Sequence, residues 1–346
     1  VLVEEALPAD VPGLYRLDER RARLEKLKAS LDFVEHDGVS EAVCGKGKVL
    51  VSSDLSAMLD MAGVSRETMY DLGLQCISRV KDDGGKYYFV KNPTSGTVET
   101  WVPLDAVCGT VGIYNPMTEK FGYGQVREAE GGRKEVLMKI LPDESYLLET
   151  FAGTYTGDEY EFYEAAGEPM SVTGPWHIRF TLGGPELPVS RTVKTLGSWT
   201  KYGKAYEIFS GSAEYRVTLP VVSGSSAAVW ALDLGDVRES AAVWLDGEYL
   251  GTVFKKPYSL VLTPEQAARG GELVVRVSNS CENRISYMDR SGIKWKIFYN
   301  ANISPRVGSR GPDGFFSAAK WPVEDSGLLG PVTLTPQKAI DDVPQE

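Results

Sequence analysis

The chain has 346 residues, a length that suggests two or three domains at roughly 150 residues each. Lys plus Arg total 37 against 48 Asp plus Glu, giving −11 with both histidines neutral, so a duplex nucleic-acid binder with its basic footprint is disfavoured. The 42% hydrophobic and 25% charged composition is that of a folded protein, and 36 Gly, 19 Pro, 17 Tyr, 11 Phe and 7 Trp favour many short strands joined by turns.

No stretch approaches the ~18 to 20 consecutive apolar residues of a membrane-spanning helix. The chain opens at Val1, and residues 1 to 17 lack the basic-then-apolar order of a signal peptide, so a fragment that lacks its true N-terminus is expected. Cys44, Cys76, Cys108 and Cys281 lie far apart without C-x-x-C spacing, which disfavours a zinc cluster and a dense disulfide framework alike.

In chain order, residues 1 to 66 hold the clearest helical signals. Asp18 is a candidate cap for a solvated helix in which Leu24, Leu27 and Leu31 recur at helical spacing. Lys48 to Val51 reads as a short buried strand, and Asp54 to Ala62 as a helix closed by Gly63. This single strand–helix unit is expected to be an α/β remnant of an upstream catalytic body. From 67 to 152 the signals turn to strands: Lys86 to Lys91 after the turn Asp82-Asp83-Gly84-Gly85, then Val98 to Val102, Ile113 to Pro116 and Val136 to Ile140. A small β-sandwich is expected there, followed by an acidic, aromatic connector over 153–171.

Residues 172–338 carry alternating patterns. Trp176, Ile178 and Phe180 alternate with His177, Arg179 and Thr181, and Ala213, Tyr215, Val217 and Leu219 share one face of a further strand. Asp246-Gly247 between two apolar runs is a strong hairpin signal. A jelly-roll β-sandwich fits, with a polar tail over 339–346 that reads as disordered from Lys338 onward. The fold class expected is therefore mainly β.

Several segments resemble the galactose-binding-like sandwich of family 2 glycosidases and their relatives: Ser198-Trp199, Phe209 to Tyr215, Leu232 to Val237, Ala241 to Gly251 and Lys256-Pro257-Tyr258. The closing text is similar to the C-terminus of family 106 glycoside hydrolases, the α-L-rhamnosidases. It comprises Ser278-Asn279, Asn283-Arg284, Gly311 to Phe316 and Ser326 to Val332. Lys46 to Leu50, Tyr88 to Asn92 and Leu141 to Ser145 extend the likeness upstream more loosely. The resemblance implies a galactose-binding-like jelly roll, a bacterial, secreted or periplasmic enzyme with the cytoplasm as alternative, and rhamnose-containing plant polysaccharide as substrate. It also implies that the catalytic (β/α)₈ barrel, with its carboxylates and a metal such as calcium, precedes this chain. No catalytic residue of that family matches a position here, so no cofactor is expected in this chain. The expected partners are a rhamnose- or galactose-containing glycan and the missing barrel, with neither nucleic acid nor membrane.

A Ser-His-Asp triad needs a histidine, and only His36, beside Asp37-Gly38, and His177, on a polar strand face, are present. Glu282 with Asp289, and Glu324 with Asp325, are candidate carboxylate pairs whose ordinary reading is surface charge. Gly45-Lys46-Gly47 and Gly308-Ser309-Arg310-Gly311 read as turn glycines rather than a phosphate cradle, and Asn302-Ile303-Ser304 is a formal glycosylation sequon. The most informative stretch is Asn283 to Asn302. There Tyr287, Asp289, Arg290, Trp295, Tyr299 and Asn300 mix aromatic faces with amide, carboxylate and guanidinium groups, as sugar recognition requires. The competing reading makes Trp295, Phe298, Tyr299, Trp321 and Tyr258 core or interface anchors. Three functions follow: an accessory glycan-binding part of a glycosidase, a purely structural buttress of its barrel, or a standalone glycosidase.

Overall fold

The computed structural model describes residues 1–129, 132–222, 227–296, 308, 310–312 and 314–340. The chain is mainly β and divides into two compact units, Val1–Thr68 and Met69–Glu346.

The first unit holds more strand than its sequence announces. Gly47–Ser52 pairs with Val39–Cys44 on one side and, in parallel, with Leu2–Glu4 on the other; Val34–His36 completes a four-stranded sheet. His36 thus ends a strand, and Asp37-Gly38 turns the hairpin. Asp54 caps the helix Leu55–Met61 by accepting from the Ala57 N–H, and Met58 from that helix packs on Val39 and Leu50. The helix Leu17–Ala29 starts two residues earlier than a cap at Asp18 requires. Its N-cap is Arg16, and Asp18 and Glu19 fall in the first turn, where acidic side chains suit the helix dipole. None of its residues is buried.

The second unit begins with a sandwich of two antiparallel sheets. Five strands run in the order Gln75–Val80, Lys86–Lys91, Ser145–Phe151, Thr110–Asn115, Lys120–Gly124. Three run Val126–Glu128, Lys134–Ile140, Val98–Leu104. Alternate residues of each face, among them Tyr88, Val90, Val102, Ile113, Val136, Met138 and Leu148, fill the space between. Tyr160 and Phe162 from the following stretch and Ile340 from the chain's far end enter the same core. Contrary to the expected disorder from Lys338 onward, the chain is structured through Ile340. Thr333–Ala339 is a strand, and the Ile340 N–H donates to the Phe162 carbonyl at 2.9 Å, because an apolar side chain there has a core within reach. Residues 341–346 lie outside the described residues.

The larger β-sandwich follows. Its six-stranded sheet runs Arg191–Val193, Trp176–Gly184, Ser210–Leu219, Gly271–Ser278, Ser240–Leu245, Glu248–Val253. The facing sheet runs Tyr163–Ala165, Thr333–Ala339, Val229–Asp233, Ser259–Leu262, and Met170–Ser171 also pairs with Thr333–Ala339. Two pieces of the 153–171 stretch are therefore strands of this sheet. Trp176, Ile178, Phe180, Tyr215, Val217, Leu232, Val243 and Val275 lie between the layers. The Asp246-Gly247 turn has φ of 48° and 82°, the double positive φ its sequence demands.

Candidate functional site

The helix Glu282–Arg290 leaves the end of the strand Gly271–Ser278 and carries the residues singled out from sequence. At helical spacing it presents Asn283, Ser286, Tyr287 and Arg290, of which Asn283 and Ser286 are buried. Asn283 clips the chain ahead of the last strands: its Nδ2 donates to the Glu324 carbonyl at 2.7 Å, and its Oδ1 accepts the Glu324 N–H at 2.8 Å. Ser326 joins the same network. It donates its N–H to Ser198 Oγ at 3.0 Å, and its hydroxyl accepts from Asn279 Nδ2 at 3.0 Å. Gly327 lies so close beneath Trp199 and Tyr215 that a Cβ would fall 2.7 Å from the indole ring and 2.3 Å from the tyrosine hydroxyl. The short motifs Ser198-Trp199, Asn279, Asn283 and Ser326-Gly327 thus meet in one buried latch, which explains on packing grounds why those residue types occur together.

Asp289 faces the opposite loop. Its Oδ1 accepts from the Trp295 indole at 2.6 Å and lies 3.4 Å from the Lys296 ammonium, while Oδ2 accepts the Ala318 N–H at 2.7 Å. The side chain is 9% exposed. Burial pushes the carboxyl pKa up, but the Ala318 and Trp295 donors and Lys296 outweigh it and hold Asp289 below the ordinary carboxylate range. Trp295 in turn meets Phe316 edge-on at 6.5 Å, and Phe316 meets Trp321 at 5.4 Å, so three half-buried rings line this loop cluster. Tyr287 and Arg290 point elsewhere, toward the short helix Lys204–Glu207. Lys204 Nζ sits 5.9 Å over the Tyr287 ring and Arg290 lies 3.9 Å from Glu207. Tyr299 and Asn300, with Phe298, the sequon at Asn302 and Ser309, lie outside the described residues.

The structure accordingly brings Asp289 and Trp295 together and sets Tyr287 and Arg290 on a neighbouring face. The contact of Phe316 with Trp295 and the role of Ala318 do not show in the sequence pattern. His177 Nδ1 is 3.0 Å from Thr192 Oγ1 on an open strand face, and Tyr258 is a core residue. Glu144 is the other carboxyl with a notable environment. Burial raises its pKa against the Leu141 N–H, Tyr146 and Asn115, just ahead of the strand Ser145–Phe151. Beside that sandwich, a cavity of about 60 Å³ is lined by Gln125, Leu137, Glu159 to Phe162 and Ala339-Ile340, far below the ~300 Å³ at which small-molecule pockets begin. Among the described residues no group of three His, Cys, Asp or Glu side chains is placed to hold a metal, the cysteines form no disulfide, and no helix is long and apolar enough to cross a membrane.

No protein-family model matches the chain. Over 185 residues it is 31% identical to a Formosa agariphila protein described as "Putative beta-glucuronidase", a match covering 48% of this chain and 16% of that protein. In three dimensions 96% of the chain superposes on 30% of a rhamnosidase from Novosphingobium sp. PP1Y, with a TM-score of 0.67 and 22% identity, a likeness of fold. The chain therefore spans less than a third of either protein it matches.

Proposed function

We propose that this chain is the non-catalytic, C-terminal accessory part of a larger bacterial glycoside hydrolase of the family 106 α-L-rhamnosidase type, secreted or periplasmic, and that it recognises rhamnose-containing plant polysaccharide beside a catalytic barrel. The observation that carries this reading is that nearly the whole chain, at 96%, follows less than a third of a rhamnosidase. The state of Asp289 supports it further. A general acid in glycoside hydrolysis needs a raised pKa, whereas three donors keep Asp289 ionised. Its role is to position Trp295, and the loop rings Trp295, Phe316 and Trp321 are the surface offered to sugar C–H faces. Tyr287 and Arg290 flank it, and Tyr299 and Asn300 belong to the same proposed site by sequence. A shallow site with one or two stacked rings holds a monosaccharide at about millimolar affinity, on the order of −4 kcal/mol, and longer glycans more tightly.

A second reading, a structural buttress, is favoured by the outer face of the five-stranded sheet. Ile77, Phe89, Leu147, Tyr114 and Phe121 stand in one register row across all five strands, and Ile77 is 75% exposed. A contiguous apolar row of this kind marks a surface that packs on something larger.

Titration of the chain with rhamnose and rhamnose-containing pectin oligosaccharides separates the two. Binding that Trp321→Ala weakens at least fivefold without lowering the melting temperature supports recognition. Silence at tens of millimolar sugar leaves the buttress.

A further inference from the structure

The outer face of the six-stranded sheet carries an arginine arrangement that the packing of the sandwich does not require. Glu214 points outward from the strand Ser210–Leu219, yet its side chain is only 5% exposed, because three guanidiniums from three adjacent strands close over it. Arg179 Nη2 donates to its Oε2 at 2.8 Å and Arg216 Nη2 to the same oxygen at 3.0 Å, while Arg276 reaches Oε1 through Nη2 at 2.8 Å and Nε at 3.3 Å. Register explains the convergence, since Glu214 stands opposite Arg179 on one side and Arg276 on the other. One guanidinium neutralises one carboxylate. Three are supplied, and the only other carboxylate bonded to them among the described residues is exposed Glu272, 2.7 Å from Arg216 Nη1. A local surplus of positive charge therefore sits on a chain whose net charge is −11.

The arginines are also held ready. Fixed by Glu214, they have already lost much of the rotamer freedom that binding an anion removes. Nε and Nη1 of Arg179 and Nη1 of Arg276 have no protein partner among the described residues, so each side chain keeps donors for an incoming oxyanion. An aromatic pair borders them. Arg276 lies 4.8 Å over the Trp244 ring, Trp244 and Tyr249 are 5.5 Å apart, and Tyr249 is 57% exposed, its hydroxyl bonded to Thr252 at 2.7 Å. In the neighbouring row Val274, between Arg216 and Trp244 in register, faces outward but is only 8% exposed, and His177 completes that row beyond Arg216.

We infer that Arg179, Arg216 and Arg276, arrayed on Glu214 and bordered by Trp244 and Tyr249, form a binding face for a carboxylate-bearing glycan, a uronate oligosaccharide. Guanidinium forks match carboxylate geometry and the exposed ring offers a face to the sugar, a combination that an inorganic anion or a neutral glycan uses only in part. This rests on the glycan-recognition reading above but places the acidic sugar on a different face from the Trp295 loops.

The test uses the whole chain and two probes, a short oligogalacturonate and a neutral rhamno-oligosaccharide, titrated by calorimetry at low salt. The oligogalacturonate should bind, weaken at least tenfold in 0.5 M NaCl, and weaken at least tenfold in Arg179→Ala/Arg276→Ala and about fivefold in Tyr249→Ala, the last with a melting temperature close to wild type and the arginine variant, which leaves Glu214 with Arg216 alone, melting lower but still folded at the assay temperature by circular dichroism. Arg276→Lys should recover part of the affinity. Equal displacement by inorganic sulfate at the same charge concentration, an unchanged affinity in the arginine variants, or no binding of the uronate would overturn the inference. Should the uronate fail while the neutral glycan still binds in a Trp321-dependent way, this inference falls and the accessory-module reading stands. Failure of the neutral glycan alone leaves the arginine face standing and removes the loop site.

Discussion

The Trp295 indole donates to Asp289 at 2.6 Å, and the other Asp289 oxygen accepts the Ala318 N–H, so one carboxylate ties the loop after its helix to the loop of Phe316 and Trp321. Asp289→Asn turns one acceptor oxygen into a donor and confronts either the indole or the Ala318 amide with another N–H. The expected cost is about 1–3 kcal/mol, seen as faster amide exchange at Ala318 and in residues 293–296, while exchange in the strand Ser210–Leu219 stays slow. Unchanged exchange at Ala318 would show that the clip does not order these loops.

Gly327 supplies a sharper packing test. Its φ is 104°, and an added Cβ meets both Trp199 and Tyr215 in the centre of the larger core. Gly327→Ala should lose about 3 kcal/mol or more, combining backbone strain with overpacking. Gly247→Ala, also at positive φ but facing open space, should lose only about 1 kcal/mol. Equal losses in chemical denaturation would remove the latch as an explanation.

Two carboxyls, buried Glu214 and half-buried Glu144, give opposite pH signatures. For Glu214, burial raises the pKa but Arg179, Arg276 and Arg216 bring it down to about 2 from an ordinary 4.5. Its ion pairs thus contribute stability above pH 4.5, and the contribution fades as pH falls toward 2. Glu214→Gln should cost about 1–3 kcal/mol at pH 7, with the gap from wild type closing in acid. For Glu144 burial dominates and the pKa is raised, so the neutral form is favoured by folding, and that benefit is present below the ordinary value and lost as pH rises through the raised one. Glu144→Gln should therefore melt at a higher temperature than wild type at pH 8 and alike at pH 4. Parallel melting of Glu144→Gln and wild type from pH 4 to 8 would contradict the one assignment, and parallel melting of Glu214→Gln and wild type from pH 7 down to pH 2 the other.

The first unit buries four hydrophobic residues, Val39, Ala42, Leu50 and Met58, and none from the helix Leu17–Ala29. That is too little to offset the conformational entropy of some 66 residues. The isolated 1–66 piece should show no cooperative thermal transition by circular dichroism, whereas 69–346, with both sandwiches, should unfold cooperatively. A sharp transition in the short piece would show that its sheet is self-sufficient.

Much of the larger sandwich is legible in the sequence because its signals are local. Trp176, Ile178 and Phe180 alternate on one strand, and Asp246-Gly247 names its own turn. What escapes the sequence is non-local. Leu2–Glu4 is a strand only because Leu50 to Ser52 lies alongside it, and Ile340 is ordered only because Phe162 receives it. Glu214 reads as a surface residue until the register brings Arg179 and Arg276, 35 and 62 positions away, to its two sides. Tyr287 to Trp295 was visible as a chemically rich stretch, but not which of its residues face one another, since Ala318 and Phe316 decide that.

The central claim, a module that attends a glycosidase without performing hydrolysis, is tested most directly by one assay: release of the aryl group from aryl α-L-rhamnosides by the whole purified chain, followed over pH 4 to 8. The account predicts a rate indistinguishable from the uncatalysed background. Turnover well above background that disappears in Glu282→Gln or Asp289→Asn would contradict it and make the chain an enzyme in its own right.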